Sequence, residues 1–301
     1  MPRQRSPRFT RITGVLLAGG LFAAACGGSD PGEAGPTQEE EAGPPQSGGR
    51  VVYGLEAETT SGWCLPEAQL AISGIQVARA VYDTLTVPDS EVGFRPHLAE
   101  SVEPNADFTE WTITLREGIT FHDGSELNAE VVKNNLDAYR GQYEGRNPLL
   151  FIFTFQDVAE VTAVDDLTVR VTTARPWVAF DSFLYGEGRV GIMAQAQLDD
   201  AEDCAGNLIG TGPFQLVDWQ VNDRLTLERN EDYWRTDAQG NQLPYLDELE
   251  FRPIPEGIQR LNALQGGEID AFHTAAPTII SQAREEAEAG QINLVESDDF
   301  A

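Results

Sequence analysis

No G-x-S-x-G elbow occurs in the 301 residues, and the three histidines, His97, His122 and His273, stand far apart in the chain. A nucleophile needs a base and an orienting group beside it, so covalent catalysis has no local signature and no catalytic residue is expected. The single lysine, Lys133, sits in Val132-Lys133-Asn134, outside any G-x-x-x-x-G-K-[ST] phosphate loop, and neither H-E-x-x-H nor EF-hand spacing is present. No metal site and no cofactor are therefore expected. Gly186, Gly188 and Gly191 satisfy G-x-G-x-x-G, but the preceding Asp181-Ser182-Phe183 makes a poor strand, so this reads as a loop with glycines at positive φ. His122-Asp123-Gly124 reads as a turn and not as an acid–base pair. The aromatic residues Trp63, Phe151, Phe153, Phe155, Trp177, Phe180 and Tyr185 fall in loops or at element ends, where rings can wall a pocket or fill a core. Cys26, Cys64 and Cys204 are too few for a disulfide scaffold and lack C-x-x-C spacing, so no zinc ribbon is present.

Forty-nine acidic against twenty basic residues give a formal charge of −29, which repels nucleic-acid phosphates and excludes that partner. A hydrophobic share of 41% is enough to bury a real core. Residues 1–25 carry Arg3, Arg5, Arg8 and Arg11 and then an apolar run, the pattern of a secretory signal peptide. The run ends Leu21-Phe22-Ala23-Ala24-Ala25-Cys26, which resembles the lipobox of bacterial lipoproteins, with Cys26 the lipidated residue. A plain signal-peptidase site is the alternative. Residues 26–49 hold no aromatic or branched aliphatic side chain, so they read as a disordered tether, with folded sequence starting near Arg50.

The elements that follow are mixed. Residues 51–55 read as a buried strand, and Ala71, Gly74, Ile75, Ala78, Val81, Tyr82 and Leu85 share a face at helical spacing. Residues 111–116 alternate as a half-buried strand, and Asn128 can cap a helix that turns Val132, Leu136 and Tyr139 inward. Residues 158–164 and 167–172 flank Asp165-Asp166 as a hairpin, and residues 214–219 and 224–228 flank a second polar turn. After a strand at 249–251, Pro255 can open a helix carrying Ile258, Leu261 and Leu264, closed by Gly266-Gly267. Strands and helices mixed without regular alternation predict an α+β or mixed α/β fold of more than one lobe.

Five motifs in register sharpen this: 94–101 (FRPHLAES) with 111–124 (WTITLREGITFHDG), then Gly210-Thr211-Gly212-Pro213-Phe214, 227–234 (LERNEDYW), Leu243-Pro244-Tyr245-Leu246-Asp247, and 264–270 (LQGGEID). The chain resembles the family 5 extracellular solute-binding proteins, the peptide-, dipeptide- and nickel-type binding lipoproteins of ABC importers. The resemblance implies a multi-lobed, periplasmic-binding-protein-like (type II) fold: lobe I at 50–83 and 173–275, lobe II at 84–172, and the truncated start of a third lobe at 276–301. Family members run further, so this chain is expected to lack most of the third lobe and, as it stands, not to bind its ligand with useful affinity. The implied protein is an exported, lipid-anchored and monomeric non-enzyme, either periplasmic or held at the outer face of the cell membrane. It would capture peptides or similar small solutes and pass them to membrane permease subunits. A secreted lipoprotein hydrolase and a peptide-sensing receptor without uptake are the alternatives. By positional match Trp63, Phe151, Phe153, Trp177 and Tyr185 are expected to line the cleft. With Cys26 lipidated and the chain exported to an oxidising compartment, Cys64 and Cys204 are expected to pair across lobe II, two buried free thiols being the alternative.

Overall fold

The apolar run after Arg50 becomes strand β1 (Arg50–Leu55), and everything that follows is arranged around it. The computed structural model describes residues 45–59 and 61–296; the leader, Cys26 and the tether up to residue 44 lie outside them. Gly48 and Gly49, read from composition as tether, are instead tied to the fold. Gly48 N–H donates to the Tyr245 carbonyl (2.7 Å) and Gly49 N–H to the Asp247 carboxylate (3.0 Å). Both glycines have positive φ, which lets the chain turn onto this edge without a Cβ clash.

Helix α1 (Ile72–Val81) follows β1. It is shorter than the periodicity suggested: Ala71 is exposed and Tyr82 already extended, and Leu85 is buried from the stretch beyond. The hairpin β2 (Thr86–Asp89) and β3 (Gly93–Pro96) leads to β4 (Ala99–Pro104) and β5 (Glu110–Leu115). Strand β5 alternates as its sequence dictates, burying Trp111, Ile113 and Leu115. Asn128 caps α2 (Ala129–Tyr139), its side chain accepting the Val131 N–H at 3.0 Å, and Val132, Leu136 and Tyr139 face inward. A short helix α3 (Phe151–Thr154) precedes β6 (Val158–Ala163) and β7 (Thr168–Thr173). Their connection is four residues and not two, because Asp165 accepts the Leu167 N–H (3.0 Å) and widens the turn.

Two short helices, α4 (Phe180–Phe183) and α5 (Gln195–Asp199), bracket the glycine-rich loop, where Gly186 and Gly188, but not Gly191, have positive φ. The chain then lays down β8 (Phe214–Gln220), β9 (Arg224–Arg229), β10 (Glu248–Pro253), α6 (Gly257–Gln265), β11 (Ala271–Phe272) and α7 (Pro277–Glu288). A five-stranded sheet has the order β11-β1-β10-β9-β8, a four-stranded sheet, β4-β5-β7-β6, is antiparallel throughout, and β2 and β3 pair as a two-stranded sheet of their own. Strand β1 runs parallel to β10 on one side and to β11 on the other. Helix α2 packs on β6 and β7, α1 on β8, and α6 on β11 and α7. A single hydrophobic cluster draws on both larger sheets, from Leu55, Leu227 and Phe251 to Trp111 and Val171.

A disulfide joins Cys64 to Cys204 across 140 residues. The Gly210-Thr211-Gly212 segment lies against the end of α1. A Cβ on Gly210 would stand 2.1 Å from the Val81 carbonyl oxygen and one on Gly212 2.6 Å from it, while Gly212 N–H donates to that oxygen at 2.9 Å. Backbone meets backbone here, so no side chain fits at either glycine.

Candidate functional site

Parallel strands deliver their exits to one end of a sheet, and ligands of such sheets bind in the crevice beyond those ends. Here the exits of β1 (Glu56, Ala57), β10 (Pro255–Ile258) and β11, with the start of α7 (Thr278, Ile279), surround an open cavity of about 780 Å³. Ile258, expected on the buried face of α6, is exposed and lines this cavity. Glu56 and Glu256 bring carboxylates to it, and buried Arg260 brings the cation. A second depression of about 500 Å³ is lined by Arg50, Arg224, Arg252, Asp223, Glu248 and Glu250. Its charges neutralise one another, with buried Glu250 paired to both Arg50 and Arg252.

Apart from the residues that line these two depressions, buried Asp83 gathers three of the sequence motifs onto one carboxylate. It accepts from His97 Nε2 (2.9 Å), Thr211 Oγ1 (3.1 Å), Tyr233 OH (3.3 Å) and Trp234 Nε1 (2.9 Å). Burial, then the Asp83 charge, pushes the Tyr233 phenol well above its ordinary range, which keeps it a donor. These residues come from three of the five motifs, so what looked like scattered signatures is one structural node.

His122 joins the turn to the glycine segment. Its Nε2 donates to the Gly212 carbonyl (3.0 Å), and its Nδ1 accepts the Gly210 N–H (3.3 Å), which assigns the neutral tautomer. Burial is the main cause holding its pKa below the ordinary histidine value. The unfolded chain takes up a proton near pH ~6.5 that the folded chain refuses, so the stability His122 contributes is complete above that pH and is lost as the pH falls below it. His122→Gln should therefore lose less stability than the parent between pH ~7.5 and ~5.5 in denaturant titrations; equal losses would remove His122 from the acid response.

The five aromatic residues expected at the cleft separate. Trp63 is only 1% exposed and packs edge-on against Trp219 (5.8 Å). Phe151 and Tyr185 are buried as well, Phe151 against Tyr139 (5.1 Å) and Tyr185 beside Phe94 (6.0 Å). Core packing takes these three because large rings gain most from leaving water. Phe153, 73% exposed, and partly buried Trp177, which contacts Phe183 at 4.9 Å, keep surface available. None of the five lines the cavity at the strand ends. Sequence reasoning missed Glu56, Asp83 and Arg260. Two of them carried a signal: Asp83 is a lone acid in the apolar run 80–85, and Arg260 adjoins Leu261 on the inward side of an amphipathic helix. Among the described residues no group of three or more His, Cys, Asp or Glu could hold a metal ion, and no helix is long and apolar enough to cross a membrane.

A parallel-edged sheet joined to an antiparallel one, with a cavity at the strand exits, is the architecture of the periplasmic binding proteins. DppA of Helicobacter pylori, solved with the peptide STSA, superposes with a TM-score of 0.67 at 24% identity over 80% of this chain and 49% of its own. AgaA of A. tumefaciens R10, solved with agropinic acid, gives 0.65 at 26% identity over 73% of this chain and 43% of its own. Residues 93–298 match the model of the bacterial extracellular solute-binding proteins, family 5, and the chain belongs to that family. The glutathione-binding protein GsiB of Salmonella typhi is 33% identical over 192 residues, 64% of this chain and 36% of GsiB. The chain thus spans about a third of the length of the curated relatives it matches.

Proposed function

We propose that this chain is the solute-capturing part of an ABC importer, taking up a peptide or a similarly small polar solute and presenting it to permease subunits. The observation that carries the reading is the cavity of about 780 Å³ where the exits of β1, β10 and β11 and the start of α7 converge. Membership of a family of binding proteins supports it, as do relatives described as binding glutathione, the peptide STSA and agropinic acid. Lobe I would be 50–83 with 173–275, built on the five-stranded sheet, and lobe II 84–172, built on the four-stranded one. The exposed ring of Phe153 and the free part of Trp177 would meet apolar portions of the solute at the cleft margin, while buried Trp63, Phe151 and Tyr185 would serve the core. Residues 1–25 would direct export and then be cleaved off, and lipid on Cys26 would hold a monomer beside the permease, since two or three acyl chains anchor stably where one does not. Titration calorimetry with glutathione and with Ser-Thr-Ser-Ala tests the capture. Against the expectation from sequence that the chain binds without useful affinity, one of them should bind saturably at one site per chain, because the residues that line the cavity all lie between Glu56 and Gln282. Heats of dilution alone for both would refute this solute class.

A further inference from the structure

The side chain of Arg260 is 3% exposed, yet it belongs to the cavity, because its guanidinium touches every parallel exit. Nη1 donates to the carbonyls of Ile254 (2.6 Å) and Pro255 (3.0 Å), where β10 ends. Nη2 pairs with Glu56 (3.2 Å), where β1 ends. Its Cζ lies 5.7 Å from the ring centroid of Phe272, the last residue of β11. The stem crosses β1 at a residue without a side chain: a Cβ on Gly54 would stand 3.6 Å from Arg260 Cδ and only 2.7 Å from Ile269 Cδ1. The Nε of Arg260 is buried with no partner among the described residues. A buried cation with an unmade bond is a less stable filling for this space than an apolar side chain of similar volume, so packing by itself does not account for it.

We propose that Arg260 is a positioning residue for solute capture, locking the exits of β1, β10 and β11 into one wall with Glu56 as the member that reaches the cavity. This rests on the reading that the cavity receives the solute. Glu56 is 31% exposed on its side chain, so the clamp has one end in the core and one at the surface a solute would meet. Only a planar fork satisfies two carbonyls and a carboxylate together. Lysine keeps the charge and loses that geometry, and methionine keeps the volume and loses both.

Arg260→Lys, Arg260→Met and Glu56→Ala test this, each examined by amide hydrogen exchange and by calorimetry with glutathione and Ser-Thr-Ser-Ala under conditions where the variant is folded. Both Arg260 variants should speed exchange at 55–57, 254–258 and 272–274 together, while β5 to β7 exchange at the parent's rates. They should also weaken binding about tenfold. Glu56→Ala should reproduce part of the loss in affinity and, because it strands the buried Arg260 cation without its carboxylate, should also lower the thermal midpoint. If Arg260→Met binds as the parent does, or if exchange rises only within α6, Arg260 is a packing residue and the proposal is wrong. If the parent binds neither probe, the reading of the cavity as a solute site fails, and the exchange pattern alone decides whether Arg260 locks the three exits.

Discussion

Replacing Cys64 and Cys204 together by serine should lower the unfolding free energy by about 4 to 5 kcal/mol. The crosslink closes 140 residues, a loop that holds α1 to α5 and β2 to β7, and so includes the whole four-stranded sheet. In the chain-entropy model a loop of this length removes close to the largest amount of unfolded-state freedom that one disulfide removes. Both cysteines are buried, and Arg146 Nη1 lies 3.0 Å from Cys64 Sγ, so the serines also disturb a packed neighbourhood. Denaturant titrations of parent and double variant, each with and without reductant, give the measurement. The reduced parent should converge on the double variant, and the variant should not respond to reductant. A double variant that unfolds at the parent's midpoint would show that the crosslink does not limit the unfolded chain.

Asp83→Ala should cost about 3 to 4 kcal/mol, with a fall in thermal midpoint of roughly 10 °C for a chain of this size. The substitution removes one acceptor and strands four donors, three on buried residues (His97, Thr211 and Tyr233) and one on half-buried Trp234. The three buried donors lose their bonds without regaining water, and that asymmetry makes the deletion cost more than the intact bonds contribute. Asp83→Asn should also destabilise, because its amide turns a donor toward donors. Exposed Asp107 provides the comparison, and Asp107→Ala should stay within about 0.5 kcal/mol of the parent. Comparable midpoints for Asp83→Ala and Asp107→Ala would mean that the motifs are not held through this carboxylate.

Local structure was legible in the sequence wherever one face of an element carries the information. The alternation of Glu110–Leu115, the Asn128 cap and the inward Val132, Leu136 and Tyr139 each follow from a period or a cap that neighbouring residues specify by themselves. The order of the five motifs was likewise enough to point to the family to which the chain belongs. The sequence could not fix which aromatic rings are covered. Neither Gly62-Trp63-Cys64 nor Ile152-Phe153-Thr154 says by itself whether its ring is covered, and only the packing of Trp219 against Trp63 and the solvent around Phe153 separate them. Nor could it supply the cavity, because Glu56, Arg260 and Phe272 lie up to 216 positions apart and meet only when β1 inserts between β10 and β11. The same holds for Asp83, whose donors come from residues 97, 211, 233 and 234. Periodicity records what an element buries, whereas the partner that satisfies a buried charge is set by strand order, and strand order belongs to the tertiary structure.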